Sequence, residues 1–276
     1  MPHRPVSTSS EIIDAALYGR LERKAGFCKV LKNQVRSLSE YLEVLNALFV
    51  DPADVFWFRG HDDAKWKLCP SALRYRKSPT RLKAIQSLAE FRRIQEYRLN
   101  KAPGPKETFK WLQLAQHYGL PTRLLDWTQS LTTALYFACQ DNGADGMVLA
   151  INPRDLNRMS LNDSTADVLD PEEHAATIQH YLSLGPETRV GGLPTVAVKP
   201  AWNSDRIIMQ QGMFTLHGER FALDKEQVPS LIGLPILREF KSQLRHQLER
   251  VGTAEMFIFP EPEHACSHLK RRIEMP

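Results

Sequence analysis

The stretch QHYGLPTRLLDWTQSLTTALYFAC, Gln116 to Cys139, constrains the fold more than any other. Gly119 and Pro121 stop one helix and set a turn. TRLLDW then reads as a short strand, Ser130 as a helix N-cap, and LTTALYFACQ as an apolar helix. Yet this core-forming run carries His, Tyr, Thr, Arg, Asp, Trp, Gln and Ser side chains. Hydrogen-bonding groups at such density inside a closing core point to a cleft lined from the core layer itself. Period-two alternation puts Arg123 and Asp126 on opposite faces of the strand.

Other elements follow from pattern. SLSEYLEVLNALFV is a capped helix with Ser39 as candidate N-cap. VFWFRG is aromatic and β-branched, hence a strand, with Gly60 at a turn where it ends. TRLKAIQSLAEFRRIQEYRLN is helical, its apolar residues Leu82, Ile85, Leu88, Phe91 and Ile94 wrapping a broad face. TFKWLQLAQHYG is the next helix. GMVLAI, TVAVKP and GMFTL are strands, and EMFIFP is a strand or an apolar anchor. PILREFKSQLRHQLERVG is an amphipathic helix with Leu237, Phe240, Leu244, Leu248 and Val251 on one face. Residues 154–194 read as a long polar excursion. Strands and helices mixed without a βαβ repeat indicate an α+β fold.

The composition, 42% hydrophobic and 25% charged over 276 residues, is that of a globular chain. Cys28, Cys69, Cys139 and Cys266 form no CxxC pair, so they read as reduced thiols and not as metal ligands. No apolar run reaches the ~20 residues of a membrane span. The first residues lack the apolar centre of a secretory signal. The expected location is the cytoplasm. A net charge of +4 permits a nucleotide or nucleic-acid partner without arguing for one.

Three polar clusters stand on apolar elements. Arg59, behind VFWF, either holds a phosphate or carboxylate bidentately or pairs with an acid such as Asp126. Thr128 and Ser130 lie where a strand enters a helix, a place that suits an anion, although Ser130 is also the natural cap. His117, ending a helix, is a general base or a structural histidine. In RIIMQQGMFTLHG, Arg206, Gln210 and Gln211 precede a strand, where paired amides read a sugar hydroxyl or a base edge, or face solvent. GxGxxG, P-loop, HExxH and GxSxG signatures are absent.

FWFRGH, WKLCPSALR, WLQLAQHYGLPTRLLDWTQSLTTALYFA and RIIMQQGMFTLHG resemble the FRG domain, named for its Phe/Tyr-Arg-Gly motif. MFIFPEPEHACSHLK is similar to that family's ending, an apolar segment before a last helix. The resemblance divides the chain into an extension, 1–36, the domain, 37–270, and a tail, 271–276. A weaker resemblance is to the ADP-ribosyltransferase fold: a split mixed β-sheet flanked by helices, with NAD extended in its cleft. That resemblance implies Arg59 at the first position, Thr128 or Ser130 at the second, and Gln210 or Gln211 at the third. Gly60, His61, His117, Tyr118, Arg123, Trp127 and Arg206 complete the expected NAD-binding set, with Tyr118 or Trp127 stacking on the nicotinamide. The third position is a Glu in most such enzymes; here Gln211 is neutral, so Asp126, or less well Glu219, supplies the missing charge.

The expected activity is transfer of ADP-ribose from NAD, without a metal, to a protein or nucleic acid. The resemblance adds a toxin or phage-defence setting with a possible antitoxin partner, and no membrane. The alternatives are a non-catalytic nucleotide- or nucleic-acid-binding module and a metal-independent nuclease using Arg59, His117 and Asp126.

Overall fold

The computed structural model describes residues 29–31, 35–49, 51, 53–140, 143–182, 193–202, 204–218, 223 and 228–274. Seven strands form one sheet: β1 (Lys29–Val30), β2 (Trp57–His61), β3 (Leu124–Thr128), β4 (Gly146–Ile151), β5 (Val196–Val198), β6 (Gly212–Leu216) and β7 (Ile232–Ile236). Their order is β1-β7-β4-β2-β3-β6-β5. Every neighbouring pair is antiparallel except β1 with β7. The fold is α+β, with helices packed on the sheet.

Those helices are α1 (Leu38–Leu48), α2 (Ser78–Gln95), α3 (Thr108–His117), α4 (Leu131–Ala138), α5 (Pro153–Leu161), α6 (Ala175–Leu182), α7 (Asp205–Met209), α8 (Arg238–Arg250), α9 (Glu255–Ile258) and α10 (Pro262–Glu274). A 3-10 turn spans Ser71–Leu73.

The sheet has two leaves. β2 and β4 pair over five residues, and β3 and β6 over five. Between β2 and β3 a single pair, Phe58 with Thr128, is in register. Beyond it the strands part. On one face the leaves are covered separately. Phe58, Val148, Ala150, Leu234 and Ile236 pack with α1, α4 and α8, whereas Leu124, Leu216, Val196 and Val198 pack with α3 and α6. On the other face one core crosses the parting, joining Trp57, Leu149 and Ile151 to Leu125, Trp127 and Met213.

Several local expectations are corrected. Ser37, not Ser39, caps α1, its hydroxyl accepting from Glu40 N–H at 3.2 Å. Gly60 sits inside β2 and makes no turn. A Cβ there would overlap the Ala134 carbonyl and come within 2.5 Å of the Ala138 nitrogen, so the glycine lets β2 touch the backbone of α4. The excursion at 154–194 contains α5 and α6. Asn152 caps α5 with Pro153 at its first turn, and Asn162 ends it in the left-handed conformation at φ 53°. Buried Asn157 then stitches α5 to β5 through both the N–H and the carbonyl of Ala197. Pro235 and Ile236 belong to β7, so the late helix starts only at Arg238, and EMFI is one short helical turn. None of the apolar residues of α2 is fully buried. Leu31 and Val35, assigned above to the extension, belong to the core; most of residues 1–36 lie outside the described set. Among the described residues no helix is long and apolar enough to cross a membrane.

Candidate functional site

Where β2 and β3 part, a pocket of about 420 Å³ opens on the face between α4 and α3. Small-ligand sites span roughly 300–1,000 Å³. Phe58, Gly60, Thr133 and Phe137 wall it from one leaf, and Gln113, Gln116, His117 and Phe214 from the other. Arg59, Asp126, Thr128, Arg206 and Gln210 supply its polar lining.

Arg59 shares its side of β2 with Trp57 and His61, yet its guanidinium reaches through the parting. Nη1 donates to the Asp126 carbonyl at 2.6 Å and lies 3.9 Å from Asp126 Oδ2. Nε donates to His61 Nε2 at 3.0 Å. His61 therefore accepts, which leaves its ring neutral. Burial, then the Arg59 and Arg74 charges, hold its pKa at about 2. Burial also pulls the Arg59 pKa down; Asp126 opposes this and Arg74 adds to it. A guanidinium remains charged through such a shift. Its side chain is 17% exposed, and Nη2 makes no hydrogen bond among the described residues.

Asp126 sits at the rim, its side chain 62% exposed. A relay fixes the carboxylate. Leu124 N–H donates to Thr122 Oγ1, the Thr122 hydroxyl donates to Gln116 Oε1, and Gln116 Nε2 donates to Asp126 Oδ1 at 2.6 Å. Thr128 braces the strand ends, donating to the Gln210 carbonyl at 2.6 Å and accepting from Ser130 N–H at 2.9 Å. Lys241, 3% exposed, donates to the carbonyl and carboxylate of Asp62 and to the Gln140 carbonyl, clamping α8 to the pocket rim.

The two glutamines divide their roles. Gln210 ends α7 and lines the pocket, its Nε2 donating to the Ile258 carbonyl at 3.2 Å. Gln211 takes the left-handed conformation, φ 47°, to turn the chain into β6; it is exposed and absent from the wall. Arg206 lies over the Phe259 ring at 4.6 Å. Its Nη1 is 3.9 Å from Glu261 Oε1, which also lies 3.8 Å from His117 Nε2. Burial and Arg206 lower the His117 pKa, and Glu261 opposes them.

The structure thus gathers Arg59, Gly60, Asp126, Thr128, His117, Arg206 and Gln210 around one cavity. The other expected contacts stand apart. Ser130 is the N-cap of α4, accepting from Thr133 N–H. Tyr118, 60% exposed, sits edge-on to His117 off the pocket wall. Arg123 is sealed on the opposite face and donates to the His217 carbonyl at 3.2 Å. His61 lies behind Arg59. Trp127 borders the pocket, but its buried indole donates to Thr215 Oγ1 at 3.0 Å, so its ring is no stacking platform. Glu219 lies outside the described residues.

The sequence reading missed Gln113, Gln116 and Glu261. Gln113 and Gln116 lie three residues apart on α3, one face of a helix, and that spacing was the available signal. Glu261 carried no signal, because only tertiary packing brings it to His117 and Arg206. Gln113 Nε2 and Glu261 Oε2 are buried without a hydrogen-bond partner among the described residues. Among those residues, no three His, Cys, Asp or Glu side chains gather as a metal site.

A family model described as FRG domain matches residues 54–146, from just before β2 to the first residue of β4. That region holds Arg59, Asp126 and Thr128; Arg206, Gln210 and Glu261 lie beyond it. No curated protein and no solved structure matches the chain.

Proposed function

We propose that the pocket takes NAD and that the protein is an ADP-ribosyltransferase-like enzyme acting on a protein or nucleic-acid acceptor. One observation carries this reading: Arg59, Thr128 and Gln210, remote in sequence, border one ligand-sized cavity at the point where the sheet splits.

Arg59 grips the pyrophosphate with Nη2 while His61 and the Asp126 carbonyl hold the rest of the fork. Arg206 is a second cation on the wall. The Gln210 carboxamide oxygen accepts from a ribose hydroxyl, its Nε2 being occupied. Thr128 keeps Gln210 in register with β3 and does not itself need to touch the ligand. Phe137 offers a ring to the nicotinamide, the part assigned above to Tyr118 or Trp127.

In the reaction the ribose C1′–N bond breaks and its electron pair returns to the nicotinamide ring nitrogen, which leaves neutral. The sugar passes through an oxocarbenium-like state, as in glycoside hydrolysis. The Asp126 carboxylate, fixed by Gln116, offsets that charge where a neutral glutamine does not. An acceptor oxygen or nitrogen bonds to C1′ and sheds its proton to Asp126 or to water.

The test uses the full chain and NAD, with calorimetry for binding and mass spectrometry for nicotinamide release and attached ADP-ribose. Arg59→Ala is expected to weaken the binding and abolish the transfer. Turnover that persists in Arg59→Ala removes Arg59 from the chemistry, and a folded wild-type chain that does not bind NAD overturns the reading.

A further inference from the structure

The charge of this chain is not spread evenly. Residues 65–101 contain eleven Lys or Arg and two Glu, a local charge of +9 against +4 for the whole chain, so the remaining residues sum to −5. This segment has a definite place. It leaves the end of β2, crosses the open end of the parting, and is tied to the start of β3 by Ala72 N–H to the Thr122 carbonyl and by Thr122 N–H to Ser71 Oγ. It then continues as α2, whose Phe91 rests 6.3 Å from both Trp111 of α3 and Tyr118. The basic segment therefore begins at the pocket and packs beside α3, with cations on several sides of α2.

Exposed rings interleave with the cations. Trp66, 55% exposed, lines the pocket and is flanked by exposed Lys65 and Lys67. Tyr75 stands between exposed Arg74 and Arg76, and Tyr97, 96% exposed, precedes Arg98. None of Arg76, Lys77, Lys83, Arg98 or Lys101 forms an ion pair with a described carboxylate. Cations set among open aromatic faces suit a polyphosphate chain with unstacked bases. A membrane surface fits less well. The exposed apolar residues of α2, Leu82 and Ile94, lie a third of a turn apart around the helix and make no stripe.

We propose that this surface binds single-stranded nucleic acid, with the base nearest the pocket stacked on Trp66. As the acceptor of ADP-ribose the strand rests on the transferase reading; the binding itself does not.

Fluorescence anisotropy of 20-nucleotide single strands, DNA and RNA, with the full chain and without NAD tests the surface. Affinity is expected to fall steeply with salt. Trp66→Ala is expected to weaken it by about 5- to 100-fold. Reversing Lys65, Lys67, Arg76 and Lys77 to Glu is expected to remove it; the same four changed to Gln give a milder version, with circular dichroism to check folding. The proposal is overturned if neither strand binds. It is overturned equally if a blunt duplex binds as tightly with Trp66→Ala neutral, or if phosphatidylserine vesicles bind and the strands do not. Strand binding without NAD binding sinks the transferase reading and leaves this surface; NAD binding without strand binding does the reverse. Adding NAD and finding ADP-ribose on the strand supports the acceptor assignment.

Discussion

Two arginines are rooted on the same face of the sheet, each beside a buried neutral histidine. Arg59 donates to His61, and Arg123 donates to the carbonyl of His217. Both guanidinium groups stand near His217: burial, then Arg123, then Arg59, hold its pKa at about 3. Their fates differ. Arg59 escapes through the gap between β2 and β3 and meets the Asp126 carboxylate at a cavity. Arg123, 4% exposed, stays sealed, and burial lowers its pKa to about 10. Residue type and root face are alike in the two cases, but burial is not: the Arg59 side chain is 17% exposed and Arg123 is 4% exposed. Both lie past the single β2–β3 rung, Arg59 opposite Leu149 of β4 and Arg123 with its carbonyl accepting from His217 N–H, so strand pairing does not separate them; what does is that Arg59 reaches a cavity and Arg123 does not.

The comparison breaks most clearly at Arg123. Arg123→Ala leaves a void and an orphaned carbonyl, and is expected to cost on the order of 3 kcal/mol in urea denaturation. Arg123→Met, similar in volume and uncharged, is expected to recover much of that. If Arg123→Ala instead kept its stability and lost NAD, the two arginines would not be separable in this way. Arg59→Ala should show the opposite profile, with NAD binding weakened about 30-fold or more and stability lowered by about 1 kcal/mol.

pH probes what the two histidines share. In the unfolded chain each protonates near pH 6.5, whereas in the fold His61 titrates at about 2 and His217 at about 3. The unfolded state therefore binds more protons as pH falls below about 6.5, and stability drops toward those low folded values. Between pH 7.5 and 5.5 the loss is expected to be about 3 kcal/mol, read from urea midpoints. A loss half that size would mean that one ring is not held neutral, and a flat profile that neither is. The smallest effect is at the rim. Asp126→Asn removes a carboxylate that competes with an anionic ligand for Arg59. It is expected to tighten NAD about fivefold or less in calorimetry while slowing transfer.

Legibility in the sequence followed how local the determinants were. GMVLAI and GMFTL are strands with the expected boundaries, and Ser130 caps α4, because alternation and capping act within a few residues. The helices inside 154–194 were missed because α5 is polar and holds its place through Asn157, a buried amide that periodicity does not register. PIL was assigned to a helix because three apolar residues before an amphipathic run extend its pattern, whereas pairing with β4 claims Pro235 and Ile236 as strand. For the site, Arg59, Asp126 and Thr128 were visible as polar residues on apolar elements. The choice between Gln210 and Gln211 was not visible, since it turns on the backbone of Gln211. Nor was Glu261, brought by the chain's last turns to a helix more than a hundred residues earlier.

The lone Phe58–Thr128 rung has a mechanical consequence. The two leaves share one backbone rung, a core on the opposite face and the Arg59–Asp126 bond, so their relative angle rests on side chains more than on backbone pairing. A molecule grasped at once by Arg59 on one leaf and Gln210 on the other acts as a further tie. Occupancy should then be felt as stiffening, seen as slower amide hydrogen exchange along the bare edges of β2 and β3, even where no atom of the guest touches them.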